Sequence, residues 1–319
     1  VHCYDGIYRG LKAFFLESGL LRVCVLPSQG AKIASLIHKP SRFETMFQPP
    51  SGLYGFPKYG DSFADFDASG GDDMFPTIDA CDYPHPDHAD VQCPDHGELW
   101  AVPWSVKRGS GGDSLECRVQ SKTLPYVFER RMTLLSQGRL RLDYRVENES
   151  DQPLLGLWAF HGLFACDEHS RLELPRAKGQ PSVKVRTVQP SGPLGPSDTL
   201  LDFPLHTRQD GTGLDVAAIA PASAATTKKF YVDGPVENGE AAITLNQGTL
   251  RCSMIWDPRL APYLGVWITE GGFRGDYNAA LEPTTGFYDD LERATHNGLQ
   301  PIPPRDTLSF WLEISISSI

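Results

Sequence analysis

The chain predicts an all-β fold, a large antiparallel β-sandwich. Three observations carry this expectation. Long segments alternate apolar and polar residues with a period of two, as strands with one buried face do. Compact turn signals separate those segments. Sustained helical periodicity is scarce along the 319 residues, and many strands with few helices point to packed sheets.

The elements follow in chain order. Residues 6–17 read equally as strand or helix. Strands are predicted at 21–27 and 32–38, divided by Ser28-Gln29-Gly30. Segments 114–120 and 126–134 precede the turn Ser136-Gln137-Gly138. The cleanest alternation is 139–147. There Leu140, Leu142, Tyr144 and Val146 face one way, and Arg139, Arg141, Asp143, Arg145 and Glu147 face the other. A turn at Asn148-Glu149-Ser150-Asp151 leads to a strand at 154–160. Strands at 241–246 and 249–256 flank Asn246-Gln247-Gly248, and another falls at 264–269. A short helix is expected around Asp289–Thr295. The C-terminus alternates again through Leu308, Phe310, Leu312, Ile314 and Ile316. The stretch 189–198 (QPSGPLGPSD) fits a hinge or a long surface loop. With no clean linker and no internal repeat, residues 1–319 are expected to form a single domain.

Charge and cysteine usage narrow the functional classes. The formal net charge is −11, a field that repels nucleic acid. No apolar run approaches the roughly 18 residues of a membrane helix. The first residues carry no secretory pattern. Seven cysteines without a repeating frame point to reduced thiols and a cytoplasmic location. Residues 47–95 hold few strand signals but ten Asp, five Phe and three Tyr. A carboxylate- and ring-rich loop of this length suits either a polar-ligand site or solvated surface.

Four constellations bear on chemistry. His85, His88, Cys93 and His96 have zinc-ligand types, but their spacing matches no common finger and prolines stiffen the loop between them. In Asp95-His96-Gly97-Glu98 a carboxylate beside a histidine can set its tautomer, and the glycine permits close backbone approach; an ordinary turn explains it as well. His161, in Trp158-Ala159-Phe160-His161-Gly162, ends an aromatic strand, where burial would lower its pKa; such a histidine is more often a satisfied core residue. Glu282, in Leu281-Glu282-Pro283, is a strand-end carboxylate whose pKa desolvation would raise toward that of a useful base, or a plain turn glutamate.

The order of these motifs is more informative than any one of them. A strand at Leu21–Pro27, then Gly30-Ala31-Lys32-Ile33-Ala34-Ser35-Leu36, an Asp-His-Gly motif, an aromatic-His motif and a late Leu-Glu-Pro motif together resemble the aldose 1-epimerase (galactose mutarotase) family. The resemblance runs from Leu21 to the C-terminal strand. It implies a supersandwich fold with a sugar in its cleft and no metal or redox cofactor. It also implies that Glu282 is the base that takes the anomeric hydroxyl proton. His161 would be the acid at the ring oxygen, and His96 a sugar ligand near that oxygen.

Several positions depart from the family. The usual early Asn-Arg is absent, and Gly70-Gly71-Asp72-Asp73-Met74-Phe75-Pro76 stands in that region. Phe160 replaces the Asn before the catalytic histidine. Lys228-Lys229-Phe230-Tyr231 carries lysine where relatives carry a sugar-binding aspartate. The expected substrate ligands are therefore His96, Asp73 for sugar hydroxyls, Lys229 for a phosphate or carboxylate, and Trp158 as an aromatic face. Two other readings stay open: a non-catalytic carbohydrate-binding protein on the same fold, and a glycosidase or lyase. A glycosidase would need a second carboxylate opposite Glu282, with Glu270 or Asp95 as candidates.

Overall fold

Strict alternation at 139–147 becomes the strand Arg139–Asn148, at the middle of an eight-stranded antiparallel sheet. Its neighbours are Tyr126–Leu135 and the C-terminal Thr307–Ser318. The registers Met132↔Leu142↔Leu312 and Phe128↔Val146↔Leu308 put the apolar residues of the three strands in common rows. Their charged residues, Arg130 excepted, form the opposite, wetter face, where Arg141 bonds Glu313 and Asp143. The computed structural model describes all 319 residues.

A twelve-stranded sheet forms the second layer. Its order from one edge is His2–Tyr8, Leu11–Glu17, Leu21–Leu26, Lys32–His38, Gly71–Met74, Ala159–Phe164, Tyr277–Thr284, Tyr263–Glu270, Thr226–Val232, Lys184–Thr187 and Leu200–Asp202, with Phe43–Glu44 beside Lys32–His38. Every neighbouring pair is antiparallel. The predicted all-β architecture is what forms. A hydrophobic core of 67 residues joins the inner faces of the two sheets. Trp158 shows the packing: its ring meets Tyr144 at 5.0 Å and Phe310 at 4.5 Å, both from the eight-stranded sheet.

Some elements differ from expectation, for physical reasons. Residues 6–17 are two strands, His2–Tyr8 and Leu11–Glu17, joined by a turn at Arg9-Gly10. The strand expected at 154–160 begins only at Ala159. Ahead of it Gly156 lies over Phe75, where a Cβ would come within 2.1 Å of the ring. The short helix is Leu291–His296, capped by Asp290, whose carboxylate accepts from the Arg293 N–H at 2.7 Å. The 189–198 stretch is a loop folded against the large sheet, with the Gln189 amide donating to the Thr227 carbonyl at 3.1 Å. No helix is long and apolar enough to cross a membrane.

Candidate functional site

Strand register assembles the centre of the site on the outer face of the large sheet. Gly162 pairs with Leu281, which sets His161 opposite Glu282 on the neighbouring strand. His161 pairs on its other side with Asp72, and Glu282 pairs on its other side with Gly265. Gly265 in turn pairs with Tyr231. Cross-strand partners point to the same face, so Asp72, His161, Glu282, Gly265 and Tyr231 form one row across five strands. Leu163, Asn278 and Trp267 lie an even number of residues from members of this row and share its face.

Loops roof this face and enclose a cavity of about 370 Å³. The carboxylate- and ring-rich stretch supplies Phe63, Ala68, Ile78, Asp79 and Asp95 to its walls. Val188, Gln189 and Pro190 close another side, and Trp267 with Phe273 offers ring surface. Asp289 comes from the loop after Tyr277–Thr284.

His96 enters from this roof in a left-handed conformation, φ +59°. Such a backbone costs on the order of 1 kcal/mol. It is held by its N–H to the Ile78 carbonyl at 2.6 Å and by the following Gly97 N–H to Pro94 at 2.9 Å. Gly97 is itself at φ +69°, and a Cβ there would lie 2.2 Å from the Phe75 carbonyl oxygen, so only glycine fits. Asp95 accepts from His96 Nδ1 at 2.8 Å, which leaves Nε2 as the acceptor of the neutral ring. Burial pushes the Asp95 carboxyl up, but the His96 bond and backbone donors outweigh it and hold it below its ordinary value. Phe63 stacks on His96 at 4.1 Å and 9°, and meets His161 edge-on at 5.3 Å.

His161 Nε2 and Glu282 Oε1 are 3.8 Å apart, too far for a hydrogen bond. Both side chains are buried, and neither Glu282 Oε1 nor His161 Nδ1 has a protein partner. Asn278 Oδ1, also buried and lining the cavity, is unpartnered too. Burial raises the Glu282 pKa, only partly offset by Lys229. Burial pulls His161 well below the ordinary imidazole value, with His96, Lys229 and Lys32 adding to the effect. The uncharged form of His161 is therefore favoured, and its protonated form gives up the proton more readily than an ordinary imidazolium.

Lys229 reaches this pair from the strand Thr226–Val232. Its ammonium donates to Glu282 Oε2 and lies 3.6 Å from Asp289 Oδ1. Asp289 Oδ1 accepts from Tyr231 OH at 2.6 Å. Behind His161, Asp72 binds the buried Lys32, which also donates to the Ser69 carbonyl at 2.7 Å. Burial pushes Asp72 up to about 6 against the pull of Lys32.

The structure thus brings His96, His161, Glu282 and Lys229 to one cavity, and it corrects two expectations. Asp73 is not a cavity residue. Its strand places it on the face opposite Asp72, where it is sealed between the sheets. There it accepts from Arg130 Nη1 at 2.6 Å and from Trp158 Nε1 at 3.1 Å. Trp158 is likewise in the inter-sheet core, three residues and hence the opposite face from His161. The zinc alternative also disperses. His85 Nδ1 accepts from its own loop, Cys93 pairs across a short ribbon with Cys81, and His96 belongs to the cavity. No three His, Cys, Asp or Glu side chains gather as a metal site. Glu270 is buried against Lys228, the Thr226 hydroxyl at 2.6 Å and the Ala220 N–H at 2.7 Å, outside the cavity lining.

Sequence reasoning missed Asn278, Trp267, Phe63, Asp79, Asp276 and Asp289. Parity would have found Asn278, four residues before Glu282 on one strand. It would also have put Trp267 on the face opposite the apolar Val266 and Ile268. Nothing in the local pattern marks Asp289.

Among solved structures the chain is similar to the Slr1438 protein of Synechocystis, with TM-score 0.70, 16% identity and 96% of each chain covered. A galactose mutarotase-like protein from Lactobacillus casei matches with TM-score 0.67 and 16% identity over 96% of this chain and 100% of that one. A galactose mutarotase related enzyme from Lactobacillus acidophilus matches with TM-score 0.63 and 15% identity over 96% and 97%. These likenesses establish a galactose mutarotase-like sandwich, so the resemblance read from the sequence holds at the level of fold. No protein-family model matches the chain, and no curated protein matches it.

Proposed function

We propose that the protein is an aldose 1-epimerase-type isomerase that interconverts the anomers of a sugar. The carrying observation is the opposed pair of His161 Nε2 and Glu282 Oε1, 3.8 Å apart and buried on the floor of a cavity walled by polar and aromatic side chains. In this reading Glu282 takes the proton of the anomeric hydroxyl while His161, acting from its minor protonated form, gives one to the ring oxygen. The bond from C1 to that oxygen breaks and an aldehyde forms. Rotation about C1–C2 presents the other carbonyl face. The ring oxygen then attacks C1, His161 recovers its proton, and Glu282 returns one to the anomeric oxygen. No electrons leave the sugar. Each proton-transfer group contributes about 10²–10⁴-fold. His96, tautomerised by Asp95, and the unpartnered Asn278 Oδ1 offer hydrogen-bonding groups to sugar hydroxyls. Trp267 offers a ring face. We read residues 1–319 as one unit, since this cavity draws on strands from most of the chain. Seven free cysteines suit a cytoplasmic setting.

Polarimetry and exchange NMR on freshly dissolved neutral aldoses test the proposal. Wild type should outpace buffer, and Glu282→Gln and His161→Asn should each lose about 10²–10⁴-fold. Interconversion at the buffer rate across hexoses and pentoses would sink it. The Lys229–Glu282 contact favours one rival, a sugar-binding protein whose base is engaged. Calorimetric sugar binding without turnover, unchanged in Glu282→Gln, would support that rival.

A further inference from the structure

We infer that Lys229 is a positioning residue for Glu282 and not a receptor for an anionic group on the substrate, so that the cavity takes sugars without phosphate or carboxylate. The inference builds on the isomerase reading but stands on separate geometry. Lys229 is the only lysine or arginine lining the cavity, against Asp79, Asp95, Asp276, Asp289 and Glu282. Its ammonium is already engaged by Glu282 Oε2 and flanked by Asp289, which Tyr231 anchors. Asp276 has its own partner, Arg274 Nη2, at 2.9 Å. Asp79, exposed at the rim, has no cation bonded to it, and Asp95 is bonded to His96. An arriving phosphate would find no free cation and an excess of carboxylates.

The strand register explains how Lys229 gets there. It pairs with Trp267, two residues along from the Tyr231–Gly265 pair. Gly265 stands between Tyr231 and Glu282 with no side chain, and a Cβ there would lie 3.1 Å from Glu282 Oε2 and 3.2 Å from Tyr231 Cζ. The lysine arm spans the intervening strand Tyr263–Glu270 to reach Glu282, two strands from its own. With Oε2 held by Lys229, the unpartnered Oε1 is the oxygen turned toward His161. The charged and titratable groups around Glu282 are Lys229 and Tyr231 from one side and His161, backed by Asp72 and Lys32, from the other. Asp289, His96 and Asp79 surround it from the loops. Lys229 is the nearest cation of the set, and its charge favours the ionised carboxylate.

The test follows the Glu282 carboxyl in protein labelled with ¹³C at glutamate, with Glu282→Gln assigning its resonance. Lys229→Met should raise its titration midpoint by about 1–3 pH units, the usual effect of losing an adjacent opposite charge. Lys229→Arg should leave it near the wild-type value. The ascending limb of kcat/KM on a neutral aldose should move upward with it, with KM changed less than about threefold. Calorimetry on unmodified protein should show hexose 6-phosphates binding at least about tenfold more weakly than the parent hexoses. An unmoved midpoint in Lys229→Met overturns the inference. So does a tenfold rise in KM with the limb in place, or tighter binding of the phosphorylated sugar. If Lys229→Met does not fold, Lys229→Gln is titrated the same way. A wild type with no turnover counts against the isomerase reading alone, because the carboxyl titration is read without it.

Discussion

Replacing Asp73 separates two accounts of that residue. As a sugar ligand it would affect binding and leave the fold intact. As the partner of Arg130 between the sheets it would do the reverse. Arg130 is fully buried on the inner face of Tyr126–Leu135, with Asp73 as its only ion-pair partner. It also donates to the Ala31 carbonyl and lies 5.5 Å from the Trp104 ring, neither of which carries a negative charge. Asp73→Ala leaves that guanidinium uncompensated, a loss of about 3–5 kcal/mol. It also removes the acceptor of Trp158 Nε1, worth roughly 1 kcal/mol more. Unfolding entropy for a chain this long is about 0.7 kcal/mol per kelvin, so the midpoint should fall by about 6–9 °C. Calorimetry and urea titration measure this directly. The pair Asp73→Leu with Arg130→Met should recover most of the loss, because an apolar replacement of both charges is often neutral or better. A variant Asp73→Ala that melts within 1 °C of wild type while sugar binding weakens tenfold would refute the reasoning and restore Asp73 to the site.

Two further perturbations test the site's floor. His161 binds its proton more weakly in the fold than in the unfolded chain, because burial lowers its pKa. Its contribution is therefore unimpaired above an unfolded value near 6.5 and is lost as pH falls below that. Wild type should lose up to about 1.4 kcal/mol per pH unit more than His161→Asn between pH 6.5 and 5.5; parallel urea-titration curves for the two proteins would contradict this. Gly265→Ala puts a methyl group into the channel between Glu282 and Tyr231. Overpacking of this kind costs about 1–3 kcal/mol. We expect kcat for a neutral aldose to fall about tenfold with a midpoint drop of only about 1–4 °C, and full activity would deny the crowding.

The half of the fold that alternates strictly was legible because its strands have one wet face. Arg139–Asn148 and Thr307–Ser318 write their orientation in every second residue. The large sheet is harder to read at its centre. Ala159–Phe164 is buried at all six positions and Tyr277–Thr284 at seven of eight, since core covers one face and the loop roof the other. A strand buried on both sides loses its alternation, so Tyr277–Thr284 and Thr226–Val232 went unpredicted. The site residues His96, His161 and Glu282 were found through motif order rather than through periodicity. The ligands around them come from loops whose placement depends on contacts distant in sequence, such as the Ile78 and Asp79 amides on the Asp289 carbonyl.

Asp72 and Asp73 show what that loss of alternation conceals. They are neighbours with the same side chain, and composition treats them alike. One peptide step on a strand sends them to opposite faces. Asp72 turns to the face of its cross-strand partner His161 and meets Lys32 there; Asp73 turns inward and ties the two sheets through Arg130. The same parity sends Trp158 inward and His161 outward. Once the histidine is taken as functional, every residue an odd number of positions from it on that strand is removed from the cavity, and its cross-strand partners are drawn in. Applied from Glu282, the rule selects Asn278 on its own strand and Gly265 and Tyr231 across the sheet, and the same row parity puts Lys229, two residues from Tyr231, on the face from which it reaches the carboxylate.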